Sequence, residues 1–222
     1  MNQRVTFYID GFNFYYGLRS KKQMDKNWLL AYWIDVVKLF SQFLSPDQIL
    51  EKVVYFTASP LNQGKSNRQG AFLNANKLLN GSKFEIVRGK YLRKVVECPN
   101  CKFAISSPEE KKTDVNIAIR MIGDCVEDKT DVIVLVSGDS DLLPPLEFIQ
   151  QKYPQKKIRV YFPPTVLSVD LKNNVKAHNG KIVFLENNFN KFLNSSMPDV
   201  VIKDCKTYTI PEKWKMEFIE SQ

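Results

Sequence analysis

Residues 132–145 read VIVLVSGDSDLLPP, an apolar run that turns at once into a polar corner carrying two carboxylates. Five β-branched or Leu residues in succession, bounded by acidic residues before and Ser137-Gly138 after, predict a strand buried on both faces. Such strands belong to parallel sheets covered by helices. In open parallel sheets ligands lie outside the carboxyl ends of the strands, which is where Asp139 and Asp141 emerge.

Upstream of this strand, Thr113 is a plausible N-cap for a helix over residues 114–126, with Val115, Ala118, Ile119 and Ile122 on one face and Asp114 in the first turn. Downstream, 142–152 reads as a helix whose opening turn accommodates Pro144-Pro145. A strand over 158–162, a short helix over 166–175 and a strand over 182–185 follow. At the amino end, a strand over 5–9 delivers Asp10 into a turn with Gly11. Helical spacing from Trp28 to Leu44 predicts one core-facing helix closed by Pro46. Strands over 53–57 and 84–88 flank a helix over 66–79. Residues 91–105 alternate on both sides of Cys98-Pro99-Asn100-Cys101, the pattern of a hairpin with a knuckle at its tip.

These readings give an α/β fold: a parallel sheet with helices on both faces, plus a small CxxC hairpin insertion. The expected division is one domain over 1–186, with the insertion at 91–107, and a weakly patterned C-terminal extension over 187–222. The hairpin and the extension lie outside the predicted core and are the candidate contacts for a partner or a second copy in a homodimer.

Composition narrows the class. The 222 residues are 44% hydrophobic with a net charge of +8, enough for a substantial core. No apolar run approaches the roughly 20 residues of a membrane helix, so a cytoplasmic protein without a membrane partner is expected. Four cysteines do not make a disulfide framework in a chain of this size. From Lys52 to Lys94 nine basic residues face one acid, and from Lys152 to Lys181 seven face one. Between Asp124 and Glu147 the balance reverses, with seven acids against Lys129. Basic flanks around an acidic centre suit a polyanion held near bound cations, although solvated helix faces produce the same counts.

If the sheet is parallel, Asp10, Asp114, Asp139 and Asp141 converge. Four like charges in one cleft require either protonation or a divalent cation, and oxygen-only ligation suits Mg²⁺ or Mn²⁺. Such an ion lowers the pKa of bound water and stabilises phosphoryl charge, which permits phosphodiester hydrolysis without a histidine base. His178 is the sole histidine. Taken singly the acids also fit structural roles, Asp139 and Asp141 as turn formers and Asp114 as a partner of the helix dipole. Lys111 and Lys112 precede Asp114 and are candidate phosphate contacts or solvated loop lysines. Phe14, Tyr15 and Tyr16 offer stacking surfaces for single-stranded bases or core packing. Cys98 and Cys101 form half of a possible zinc site, with no second pair at matching spacing.

Three motifs also carry a family resemblance: YIDGFNFYYGL at 8–18, EKKTDVNIAIRMI at 110–122 and LVSGDSDLLPPLEFI at 135–149. In this order they resemble the NYN domain family, the LabA-like branch of the PIN-like nuclease superfamily. The resemblance implies a Rossmann-like α/β domain and a metal-dependent ribonuclease site; the expected partner is RNA, with single strands favoured. It implies that Asp10, Asp114, Asp139 and Asp141 are the catalytic, metal-binding acids. It places Asn13 beside metal or substrate, and Ser137 as the small hydroxyl residue flanking the acidic turn, both in the substrate-binding set. Two rivals remain open: a non-catalytic RNA-binding or regulatory module of the same fold, and an aspartyl phosphatase. The latter needs an acid two residues after Asp10, where Phe12 stands.

Overall fold

The structure, a computed structural model, describes residues 2–97 and 99–216, and for 91–97 and 105–110 the backbone alone. Its centre is a six-stranded, wholly parallel sheet of β1 (Gln3–Asp10), β2 (Gln48–Thr57), β3 (Phe84–Arg88), β6 (Val132–Val136), β7 (Lys157–Phe162) and β8 (Lys181–Phe184). The spatial order is β3-β2-β1-β6-β7-β8. Strand order therefore reverses between β1 and β6, and the crevice for a ligand opens at the carboxyl ends of those two strands. They pair in register from Val5 opposite Val132 to Ile9 opposite Val136. This brings Asp10 and Ser137, the next residues of each strand, side by side.

Alternate side chains of the central strands feed two separate cores. Val5, Phe7, Ile9, Val132, Val134 and Val136 face one side of the sheet, Tyr8, Ile133 and Leu135 the other. The first side is covered by α1 (Gly11–Met24), a 3-10 turn (Lys26–Tyr32), α2 (Val36–Ser41) and α3 (Gln63–Asn80). The second is covered by α4 (Thr113–Val126), α5 (Leu143–Lys152) and α6 (Val169–Ala177). The two-faced burial predicted for 132–136 holds at every position of β6.

Four local expectations are corrected. The helix expected across Trp28–Leu44 is split into the 3-10 turn and α2, because Ile34 bridges to Ser196 in extended backbone and the Asp35 carboxylate caps α2 at Lys38 N. Thr113 is the first helical residue of α4, and Lys112, in left-handed backbone at φ 74°, occupies the cap position without a side-chain cap. The face of α4 turned to the sheet is Ile117, Met121 and Cys125. Val115 and Ile119 stand 60% and 66% exposed. The tail is structured as well: α7 (Phe189–Leu193), the antiparallel pair β9 (Val200–Lys203) and β10 (Lys206–Thr209), and a 3-10 turn (Glu212–Trp214). Phe192, Met197, Val201 and Trp214 join the first core.

Strands β4 (Lys90–Glu97) and β5 (Ala104–Lys111) form a separate antiparallel ladder between β3 and α4. Cys98 lies outside the described residues, and Cys101 is exposed. No described helix is long and apolar enough to cross a membrane.

Candidate active site

Asp10 ends β1 and caps α1. Its Oδ1 accepts from the backbone N–H groups of Phe12 and Asn13, each at 3.0 Å. Its Oδ2 accepts from Asn13 Nδ2 at 2.6 Å and Ser137 Oγ at 2.9 Å. Asn13 and Ser137 therefore grip the carboxylate from α1 and from the neighbouring strand. The helix can start directly off the strand because residue 11 is glycine: a Cβ there would stand 2.6 Å from the Phe56 carbonyl oxygen and collide with the Tyr55 ring.

The corner after β6 is built from the same hydroxyl. Ser137 Oγ accepts from Asp139 N at 3.0 Å, and Asp139 Oδ1 accepts from Asp141 N at 2.9 Å, which starts the 3-10 turn Ser140–Leu142. Gly138 passes against Val166, where a Cβ would not fit. The chain from Asp141 through Asp139 and Ser137 to Asp10 is thus continuous, with two of its links made by backbone N–H groups.

The third acid arrives on α4. Glu85 of β3 receives Arg120 of α4 at 2.6 and 3.1 Å and Lys52 of β2 at 3.1 Å. Arg120 Nε also donates to both Asp124 oxygens, at 3.0 and 2.9 Å, and Asp124 accepts from the Tyr8 hydroxyl of β1 at 2.8 Å. This network clamps α4 across three strands. At its amino end Gly89 gives close approach: a Cβ there would stand 2.5 Å from Thr113 Oγ1 and 2.8 Å from the Lys111 carbonyl oxygen.

The result is a cluster of Asp10, Asp114 and Asp139, with one carboxylate oxygen from each lying within 4.8 Å of the others. Asp10 is buried, Asp139 half-buried and Asp114 exposed, so the cluster opens to solvent on one side. Burial pushes the Asp10 carboxyl up from its ordinary value, the hydrogen bonds from Asn13 and Ser137 pull it back, and the Asp139 charge raises it again. A divalent cation would relieve that cost, and an all-carboxylate donor set with an open side fits a hard ion that keeps part of its water shell.

Of the residues singled out in the sequence, Asp141 is exposed and stands outside the three-acid group. Asn13 and Ser137 touch Asp10 directly. Lys111 and Lys112 are exposed beside Asp114. Phe14 is core, while Tyr15 is half-buried and Tyr16 is 37% exposed. Sequence reasoning missed the Tyr8, Glu85, Arg120 and Asp124 network, whose members lie far apart in the chain. The i,i+4 spacing of Arg120 and Asp124 was the one local signal available for it.

The NYN domain family profile matches residues 4–178. A 6-hydroxy-3-succinoylpyridine 3-monooxygenase, HspA, of Pseudomonas putida (strain DSM 28022 / S16) is 29% identical over 181 residues, covering 66% of this chain. The chain spans 55% of that relative's length. A crystal structure of VPA0982, a protein of unknown function from Vibrio parahaemolyticus RIMD 2210633, superposes with a TM-score of 0.53 at 21% identity. That match covers 82% of this chain and 93% of the other, and speaks to the fold alone.

Proposed function

The chain belongs to the NYN domain family, and from that premise we propose that it is a metal-dependent ribonuclease hydrolysing single-stranded RNA. The observation that carries the reading is the meeting of Asp10, Asp114 and Asp139 at the strand-order reversal of the sheet. These three residues would hold Mg²⁺ or Mn²⁺. When bound, the ion would supply a water of lowered pKa and stabilisation of phosphoryl charge.

The chain's own residues do the rest. Asn13 and Ser137 orient Asp10, and Ser137 fixes the backbone from which Asp139 projects. Lys111 and Lys112, exposed next to Asp114, contact the phosphate backbone. The backbone N–H of Asp141 starts the turn at Asp139, and its exposed carboxylate, outside the cluster, would act on the ion through water.

Incubation of labelled single-stranded RNA with Mn²⁺ or Mg²⁺, against EDTA, tests the reading. Cleavage is expected to vanish in EDTA and in Asp139→Asn. Asp141→Asn is expected to lose about ten- to a hundredfold, the usual scale for a residue acting behind the ligands. Full activity of Asp139→Asn would overturn the assignment. Salt-sensitive RNA binding without any metal-dependent product would point to a non-catalytic RNA-binding module.

A second reading has its own support. The Pseudomonas relative is named for a reaction on a hydroxylated pyridine acid, and this chain has an aromatic-walled cavity whose lining starts at Gly11 and Phe12, the residues after Asp10. Binding of a small heteroaromatic acid, measured by calorimetry with no RNA cleavage, would favour it.

A further inference from the structure

Between α1, the 3-10 turn that follows it and α3 lies a cavity of about 540 Å³, inside the roughly 300–1,000 Å³ range of small-molecule pockets. Tyr15, Tyr16, Tyr32, Tyr55, Phe72 and Trp214 contribute to its wall. Neighbouring rings meet edge-on or tilted. Tyr15 and Tyr16 are 5.4 Å apart at 83°, Tyr32 and Trp214 5.7 Å at 86°, and Phe72 and Trp214 6.5 Å at 77°. Tyr16 is the exposed ring of this wall, at 37%, while Tyr32, Phe72 and Trp214 are buried.

Two further features say what the guest is. The wall begins at Gly11 and Phe12, the two residues that follow Asp10 in the chain, although none of the three clustered acids lines it. Lys65 and Arg68 of α3 line it too, and among the described residues neither is engaged in an ion pair. Phe12, 42% exposed, lies 4.4 Å from Tyr16 and extends the aromatic surface toward the cluster. A flat ring joined to an anion that Lys65 and Arg68 can hold matches these features together.

We propose that this cavity receives one unpaired nucleobase of the strand whose phosphate lies at the acidic cluster, with Lys65 and Arg68 holding the adjoining phosphate. The proposal rests on the ribonuclease reading and adds what that reading lacks, a reason for single-stranded substrate: a base enters the cavity only when it is free of a complementary partner. Stacking on the rings is sequence-tolerant and positions the strand by base rather than by phosphate alone.

The test uses single-stranded oligoribonucleotides with one 2-aminopurine walked along the sequence, bound to the full chain in EDTA so that nothing is cleaved. Quenching is expected to be strongest at one register, adjoining the bond cut when Mn²⁺ is added. Tyr16→Leu is expected to weaken binding about tenfold and abolish that quench. The pair Lys65→Gln and Arg68→Gln, surface changes that leave the core intact, is expected to weaken binding similarly and to flatten its salt dependence.

Metal-dependent cleavage by the unaltered chain, with unchanged affinity and quench in Tyr16→Leu, would overturn the base cavity and leave the nuclease standing. A register-specific quench lost in Tyr16→Leu, with no cleavage in either metal, would keep the cavity and overturn the nuclease. Binding of free 6-hydroxynicotinic acid with no quench at any register would overturn the proposal in favour of a small heteroaromatic acid.

Discussion

Ser137 shows how much of a site can depend on a residue that is not itself an acid. Its hydroxyl donates to Asp10 and accepts from Asp139 N, so it ties the carboxylate that ends β1 to the turn that follows β6. Ser137→Ala is expected to leave the fold intact while raising the Mn²⁺ concentration for half-maximal RNA cleavage by about ten- to a hundredfold. A metal titration of the variant checks this, and an unchanged midpoint would remove Ser137 from the site. Asp10 and Asp139 were legible in the sequence by their places after apolar strands, whereas Ser137 was legible only through the family resemblance of its motif. Asp141 was legible only as a neighbour. Two carboxylates separated by one residue point to different sides of a 3-10 turn, and sequence spacing does not say which one faces the cluster.

At the scale of elements, α4 depends on the sheet for its placement. The Arg120 guanidinium and Lys52 beside Glu85 hold its carboxyl down at about 2, below its ordinary 4.5. A carboxylate with a depressed folded-state pKa stabilises fully above the unfolded value. Its contribution is lost as pH falls from about 4.5 toward 2. The melting temperature is therefore expected to drop across that window, and Glu85→Gln should flatten the drop while lowering stability at pH 7. Thermal melts from pH 7 to pH 2 compare the two, and parallel curves would argue against the clamp. Gly89→Ala probes the other end of the helix: the Lys111 carbonyl oxygen cannot swing away, so a cost of about 1–3 kcal/mol in urea unfolding is expected. A cost near zero would mean that α4 shifts freely. Sequence periodicity found this helix but not its buried face, because 115/119/122 and 117/121/125 are both apolar stripes and only the sheet decides between them. Strand β6 was legible to the residue, since a strand buried on both faces admits no polar residue and so marks its own ends.

The whole molecule is larger than the segment that defines its family. The family match ends at residue 178, yet Trp214 is buried against Tyr32 and Phe72 and closes one side of the aromatic cavity. Trp214→Ala is expected to cost about 3 kcal/mol in chemical denaturation, the low end for a buried Trp because the site already borders a cavity. A loss below about 1 kcal/mol would mean that the tail merely rides on the surface. The tail escaped sequence reading for a physical reason. Its β9–β10 turn uses Asp204 and Cys205 in left-handed backbone, at φ 48° and 61°, where Asn-Gly would have announced a hairpin.

The central position of β1 has a consequence for how the chain is made. Asp10 is synthesised first, but its neighbour Ser137 follows 127 positions later. At about 5–20 residues per second on the ribosome, β1 waits roughly 6–25 s for the strand that covers its second edge. Until then only β2, itself complete at Thr57, can pair with it, and Val5, Phe7 and Ile9 lack their β6 neighbours. The three-acid cluster is therefore absent from every nascent chain that stops short of Asp139.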